Sequence, residues 1–164
     1  MHLDGFLSYP SAVYTVPYGV MVPKEVGNLL LPVPVSGSHI GFSTLRMEPC
    51  WMAMGQAAGI ASALSIDGKV KVQNIDLSRL QDKLVDQKAT LMYFKDVDYT
   101  SPHFRMVQYL GLRGYLPEWT ARLQEPVDMA TLTAWKKLSG KDLPGIEALS
   151  LIHISEPTRL RRIS

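Results

Sequence analysis

The longest apolar stretch of the chain covers residues 50–66 and holds no charged side chain. Pro49 precedes it, and proline is favoured in the first turn of a helix, where a missing N–H costs nothing. An Asp-Gly pair at residues 67–68 ends the stretch. The pattern predicts a long helix that is apolar on all faces and therefore buried in a core. Its length approaches that of a membrane span, but polar residues such as Gln56 favour the core helix.

Shorter apolar runs with a β-type composition lie on both sides of this helix. Residues 12–16, 19–22 and 29–35 predict three strands, and residues 92–97 predict a short strand or a loop. Prolines interrupt or end the first three runs, which limits them to short or edge strands. Residues 36–44 are rich in Gly and Ser and are predicted to form a loop.

Three further helices are predicted after the long one. Asp76 is a suitable N-cap for a helix over residues 77–88. A second helix is predicted over residues 102–112, and a third over residues 129–138, ending before Gly140. The pattern as a whole predicts an α+β fold with a few short strands, one long buried helix and a small helical C-terminal module.

Composition narrows the class of protein. Hydrophobic residues make up 46% of the 164 and charged residues 20%, which is typical of a globular chain. A net charge of +2 does not indicate a nucleic-acid partner. Cys50 is the single cysteine, and the four histidines show no ligand spacing, so neither a disulfide framework nor a metal site is predicted.

The last segment, residues 149–164, reads LSLIHISEPTRLRRIS. It closely resembles the translation of the DNA adapter used in transposase-based sequencing. We therefore expect it to be an artefact that makes no specific core contact, and we leave its basic cluster out of the functional interpretation. A natural basic tail is the alternative. The predicted domains are then residues 1–95 and residues 96–148.

A dense motif links the predicted strands to the long helix. Residues 28–64 read NLLLPVPVSGSHIGFSTLRMEPCWMAMGQAAGIASAL, and residues 13–30 read VYTVPYGVMVPKEVGNLL. Together they resemble the closing segment of bacterial FAD-dependent oxidoreductases of the xanthan lyase-like type, over residues 13–91. The resemblance implies a fragment of a two-domain FAD-binding fold. It also implies a parent enzyme that passes a hydride from a small organic substrate to FAD.

The resemblance also implies a set of flavin-site residues. The loop before the long helix would follow the flavin, and the start of that helix would point at the N1–C2=O edge of the ring. Backbone N–H groups of Arg46, Met47 and Glu48, with the charge of Arg46, would stabilise the reduced ring. The implied cofactor-binding residues are Ser36, Gly37, Ser38, His39, Arg46, Met47 and Glu48.

Three of these assignments have simpler alternatives. His39 is the candidate catalytic residue, for proton transfer, but it could equally be a structural hydrogen-bonding histidine. Arg46 could be an ordinary surface arginine or could pair with Glu48. Cys50 lies where a helix dipole could lower its pKa, but its apolar neighbours favour a packed, inert thiol.

One expected element of an FAD enzyme is missing from the sequence. No G-x-G-x-x-G turn, the element that binds the ADP half of FAD, is present. We therefore expect the chain alone to be inactive, to lose FAD, and to leave a helix face including Met52, Ile60 or Leu64 in water. The rival interpretation is a non-catalytic binding module, because residues 103–140 loosely resemble an S-layer-homology repeat.

Overall fold

The computed structural model describes residues 10–140 and Leu151. The chain divides into two compact units, Met1–Lys83 and Leu84–Ser164, called here the first and second units. The described residues contain two short 3-10 helices, Tyr18–Met21 and Val72–Asn74. They also contain five α-helices: α1 (His39–Leu45), α2 (Glu48–Gly68), α3 (Leu77–Asp86), α4 (Phe104–Leu112) and α5 (Met129–Ser139).

The predicted α+β class is wrong for the part of the chain that the structure describes. Residues 12–16 and 29–35 are irregular, residues 19–21 belong to a 3-10 helix, and residues 92–97 form bends. Apart from an isolated bridge at Pro126, the described residues contain no strand and no sheet. The observed architecture there is helical.

The backbone hydrogen bonds explain why the strands do not form. Only two bonds join the segments around residues 20 and 33: Leu31 N–H to Met21 O at 2.9 Å, and Ser36 N–H to Val20 O at 2.7 Å. Between them, Pro32 and Pro34 have no N–H to donate. The N–H of Val35 turns back to Val33 O at 2.9 Å. A β-type composition therefore fails where prolines interrupt the ladder of donors.

The long helix is confirmed as α2, which starts one residue earlier than the predicted Pro49 and ends at Gly68. Met47 is its N-cap, and Pro49 lies in its first turn, where a proline needs no backbone acceptor. After the helix, Lys69 takes a left-handed conformation with φ 49° and donates its N–H to carbonyls of the last turn. Among the described residues, no helix is long and apolar enough to cross a membrane.

Burial of α2 is one-sided in this chain, although the sequence predicted cover on all faces. Met54, Ala58, Ala61 and Leu64 are buried. The opposite face is open to solvent, with Met52 at 76% exposure. The predicted exposure is thus confirmed at Met52 and wrong at Leu64.

Small residues on a helix, such as Gly55 and Gly59 of α2, leave room for another backbone to approach closely. A Cβ built on Gly55 or Gly59 meets no atom within 4 Å. Both glycines are exposed, and Ile66, on the same side of the helix, is 75% exposed. No segment described here packs on that stripe.

The core of the first unit is small. Its buried members come from the segments around residues 20 and 35, from the end of α1 and from one face of α2, namely Met21, Val35, Leu45, Met54 and Ala58. The ring of Tyr18 packs against this core, and its hydroxyl donates to Val72 O at 2.9 Å. Burial raises the pKa of Tyr18, so this hydroxyl stays a donor.

α3 begins as predicted. The carboxylate of Asp76 accepts from the N–H groups of Ser78 at 2.9 Å and Arg79 at 3.3 Å, which is N-cap geometry. The helix ends two residues before the predicted residue 88, where Lys88 takes a left-handed conformation with φ 64°. Of the predicted apolar stripe, only Leu77 is exposed.

The second unit has the larger core. Its buried cluster consists of Phe94, Val97, Val107, Leu116, Ala121, Val127, Leu132, Trp135 and Leu151. Inside the same unit, the fully buried Gln108 accepts from the N–H groups of Leu91 and Met92, both at 2.8 Å, and donates to Met92 O at 2.7 Å. Asp128 is the N-cap of α5, and the predicted end of this last helix before Gly140 is confirmed.

The predicted adapter-like tail lies almost wholly outside the described residues. Leu151 is the exception, and it is only 5% exposed within the core cluster of the second unit. At this position the expectation that the tail makes no core contact is wrong.

Candidate functional site

The predicted loop at residues 36–44 is helical from His39 onward, so the loop prediction is wrong there. Ser38 is the N-cap of α1, and its hydroxyl accepts from Gly41 N–H at 3.0 Å. The hydroxyls of Ser43 and Thr44 donate back to Ile40 O and Gly41 O. Hydroxyl side chains can satisfy such bonds inside a helix, which is why a Ser/Thr-rich segment is not always a loop.

The two glycines of this segment were expected to let the backbone approach a ligand. A Cβ on Gly41 would lie 3.2 Å from Ser38 Oγ, so this glycine makes room for the cap of α1. A Cβ on Gly37 would make only ordinary contacts, the nearest at 3.6 Å to the Phe42 backbone. Of the two, only Gly41 meets a close neighbour.

The structure places the seven predicted cofactor-binding residues on the surface of the first unit. All are exposed, and they lie around α1: Ser36, Gly37, Ser38, His39, Arg46, Met47 and Glu48. His39 starts α1 and Arg46 is its C-cap. At 1.5 Å per residue, the helix separates their backbones by about 10 Å. Arg46, Met47 and Glu48 are brought together, and His39 lies at the other end of α1.

The junction of α1 and α2 offers two backbone donors. Arg46 N–H is already bonded to Phe42 O at 3.0 Å, so it is not available to a ligand in this structure. Cys50 and Trp51 donate to Met47 O at 3.0 and 3.2 Å, and Pro49 has no N–H. The N–H groups of Met47 and Glu48 have no acceptor within the described part of the chain.

Arg46 brings a full positive charge to this junction. Its side chain is exposed, and within the described residues it makes no ion pair with Glu48. The alternative in which Glu48 neutralises Arg46 is therefore not the arrangement seen.

The side chains of His39 and Cys50 differ in their surroundings. The exposed ring of His39 makes no hydrogen bond to another described residue, so a structural bond is not seen there. Cys50 is half-buried, packs against the core of the first unit and lies 3.8 Å from Thr44 O, to which its thiol donates. This contact fits the packed thiol that its apolar neighbours favour.

Trp51, which was not among the predicted site residues, holds the one buried side-chain donor without a partner in the described part of the first unit. Its indole Nε1 is buried and has no hydrogen-bond partner. An unpaired buried donor costs about 1–3 kcal/mol, so such groups call for an acceptor. A tryptophan directly after the Glu-Pro-Cys start of a helix is the sequence signal that could have indicated this residue. The reason is that the N–H of a buried indole needs a hydrogen-bond partner.

Tyr14 ties the preceding segment to α1. Its hydroxyl donates to Thr44 Oγ1 at 2.6 Å, and this is a contact between residues thirty positions apart. Residues 12–16 were predicted as a strand. They instead form an irregular segment that this hydrogen bond holds at the end of α1.

No group of three or more His, Cys, Asp or Glu side chains among the described residues could hold a metal ion. Comparison with known proteins gives one match. A family model described as FAD dependent oxidoreductase matches residues 3–84, half of the chain and nearly the whole of the first unit. No curated protein and no solved structure matches the sequence.

Proposed function

Because the chain belongs to the FAD dependent oxidoreductase family, we propose that the first unit forms one wall of a flavin site at the junction of α1 and α2. The observation that carries the proposal is the pair of unoccupied N–H groups on Met47 and Glu48, beside the exposed guanidinium of Arg46. All three residues lie inside the matched segment.

The chemistry of the junction suits a cofactor that becomes negative. FAD, when bound, accepts a hydride from a small organic substrate, and the added charge concentrates at the N1–C2=O edge of its ring. The N–H groups at the helix start and the guanidinium of Arg46 supply positive charge in fixed positions. They can therefore stabilise negative charge at that edge without rearrangement. Met47 and Glu48 would orient the ring through their N–H groups, and Arg46 would stabilise its reduced form.

The orphaned indole of Trp51 supports the fit. It lies in the first turn of α2, and its N–H needs an oxygen or nitrogen acceptor that no described residue supplies. Flavin carbonyls and ring nitrogens are acceptors of this kind. We include Trp51 with Met47 and Glu48 among the residues that would face the cofactor.

We propose His39 as the group that moves a proton on the substrate side. Its ring is exposed and unbonded within the described residues, which leaves it available for a substrate. An imidazole can both accept and donate a proton, as a general base or acid does. The backbones of His39 and Arg46 lie about 10 Å apart along α1, so the two side chains would contact different parts of the ligand.

We further propose that the chain is a piece of a bacterial, xanthan lyase-like member of the family and is inactive by itself. The motifs at residues 13–30 and 28–64 support that placement. Most of the affinity for a dinucleotide comes from the Gly-rich turn and helix that seat the pyrophosphate, and no G-x-G-x-x-G occurs here. Purified alone, the chain should show no flavin absorbance and should aggregate; a yellow monomer would contradict this.

The experiment that tests the wall itself is a graft. Residues 1–90, which contain the whole of α3, would replace the matching segment of a soluble FAD dependent oxidoreductase of the same family, which supplies the Gly-rich half. We expect the graft to fold and retain FAD, with its absorbance spectrum and fluorescence quenching showing a bound flavin. A folded graft that loses FAD while the unmodified host keeps it would overturn the proposal.

A further inference from the structure

A cavity of about 310 Å³ lies in the second unit, between the segment that follows α4 and the start of α5. Tyr115 and Trp135 line it and contact each other edge to face, with ring centroids 6.2 Å apart. The indole of Trp135 donates to Tyr115 O at 2.8 Å, which fixes the wall. The volume is at the lower end of the range for small-molecule sites.

The charged groups around this cavity are mostly acidic. Among the lining residues that the structure describes, Glu118, Glu125 and Asp128 stand against one cation, Arg122, which leaves two net negative charges. The guanidinium of Arg122 is engaged by Glu118 at 2.6 Å. Glu125 has no ion-pair partner among the described residues. Hydrogen bonds from Thr131, with the charge of Arg122, hold the pKa of Asp128 below its ordinary value, so this carboxylate stays ionised.

The segment that carries the charges is held in place. Asp96 accepts from the N–H groups of Ala121 at 2.9 Å and Arg122 at 2.8 Å. Arg122 itself takes a left-handed conformation with φ 51°, which a residue other than glycine or asparagine rarely adopts. Lys95 N–H donates to Trp119 O at 2.8 Å as a third tie. The cavity is therefore formed before any ligand arrives, which lowers the entropic cost of binding.

We propose that this cavity binds an organic cation, a primary ammonium on a short aliphatic stem. The carboxylate of Glu125 receives the ammonium, and the aromatic wall of Tyr115 and Trp135 receives the stem, since ring faces attract cations and apolar groups alike. A lysine side chain of a partner protein and a free alkylamine share this chemistry. The proposal is independent of the flavin site, because every residue in it belongs to the second unit.

The test uses the soluble fraction of the whole 164-residue chain, recovered by size exclusion, and two matched molecules, n-butylammonium and n-butyrate. Binding is followed by NMR of the Trp135 indole signal. We expect saturable shifts with the cation, with a dissociation constant on the order of millimolar, and none with the anion. Nα-acetyl-lysine methylamide should bind more tightly than butylammonium if a protein lysine is the natural ligand, and equally if it is a free amine. Its Nε-acetylated form should not bind in either case.

Two variants locate the charge. Glu125→Gln should weaken cation binding about threefold to fivefold, as the loss of one exposed charge pair does. Glu25→Gln, an equally exposed change in the first unit, should leave binding unchanged. Circular dichroism checks that both variants fold. Absence of saturable shifts, equal shifts with butyrate, or an unchanged affinity in Glu125→Gln would each overturn the proposal.

Discussion

The two units differ in whether their buried donors have hydrogen-bond partners, and one tryptophan in each unit illustrates the difference. In the second unit the indole of Trp135 donates to Tyr115 O, and the buried Gln108 satisfies three backbone groups. In the first unit the indole of Trp51 is buried without a partner, and Met52 lies open to water on an apolar face. The second unit completes its own interior, whereas the first leaves donors and apolar surface for something else to cover.

The largest effect on the free energy of unfolding is expected at Gln108, whose side chain satisfies three backbone groups of the second unit. Gln108→Met keeps the volume but removes the acceptor of two N–H groups and the donor to Met92 O, so we expect a loss of about 3–5 kcal/mol in the free energy of unfolding. Urea unfolding followed by tryptophan fluorescence measures it. Gln124→Met, at an exposed position, is the control and should change stability by less than about 0.5 kcal/mol. Equal stability of the two variants would contradict the role of Gln108.

The tryptophan pair gives the next largest effect. Trp135→Phe leaves Tyr115 O without its donor and should cost about 1–3 kcal/mol. Trp51→Phe removes a donor that has no partner, so the chain alone should lose little stability or gain some. Matched urea titrations of the two variants test the contrast. If Trp51→Phe costs as much as Trp135→Phe, then Trp51 already has an acceptor, such as a bound water, and the difference between the units disappears.

A substitution at Arg46 tests whether the first unit stabilises a reduced flavin. In the graft that carries residues 1–90, Arg46→Ala should lower the flavin reduction potential while FAD stays bound. Losing one charge-assisted contact of about 1–3 kcal/mol corresponds to about 20–65 mV for a two-electron couple. Arg79→Ala, exposed in the same matched segment, is the control and should leave the potential unchanged. An unchanged potential in Arg46→Ala would place this side chain away from the flavin.

The smallest effect concerns pH and the cap of α5. Because the pKa of Asp128 is lowered in the folded state, its contribution to stability is full above the ordinary value near 3.8 and is lost as the pH falls through the folded value. The helical signal of the second unit should therefore weaken in acid, below about pH 4. Asp128→Asn keeps the capping oxygen without the charge, so it should flatten this dependence at position 128. An acid profile identical to that of the unaltered chain would rule out Asp128 as its source.

Local signals carried most of what the sequence could predict. The cap at Asp76 and the end of a helix before Gly140 were identified because each depends on one residue and its near neighbours. The long helix was found for the same reason, since a proline in its first turn and an Asp-Gly pair mark its ends. Family resemblance, confirmed over residues 3–84, then assigned the segment a cofactor that local rules could not name.

The failures came from features that local composition does not reveal. Residues 29–35 have the composition of a strand, but a strand needs a neighbour with matching donors, and Pro32 and Pro34 prevent that. α1 was taken for a loop because its Ser and Thr hydroxyls bond locally in a way that composition does not reveal. No spacing of residues in the sequence indicates that the indole of Trp51 lacks an acceptor or that Leu151 is buried.

α3 runs from Leu77 to Asp86, so the division between the units after Lys83 falls inside one continuous helix. Proteases need an extended, accessible stretch of chain, and a helical turn with Leu84 and Val85 buried does not offer one. Limited digestion should therefore spare this boundary, even though the family match stops at residue 84. A gene fusion or exchange made at that residue would cut a hydrogen-bonded helix in two, and its safer joint lies beyond Lys88, where the backbone leaves the helix.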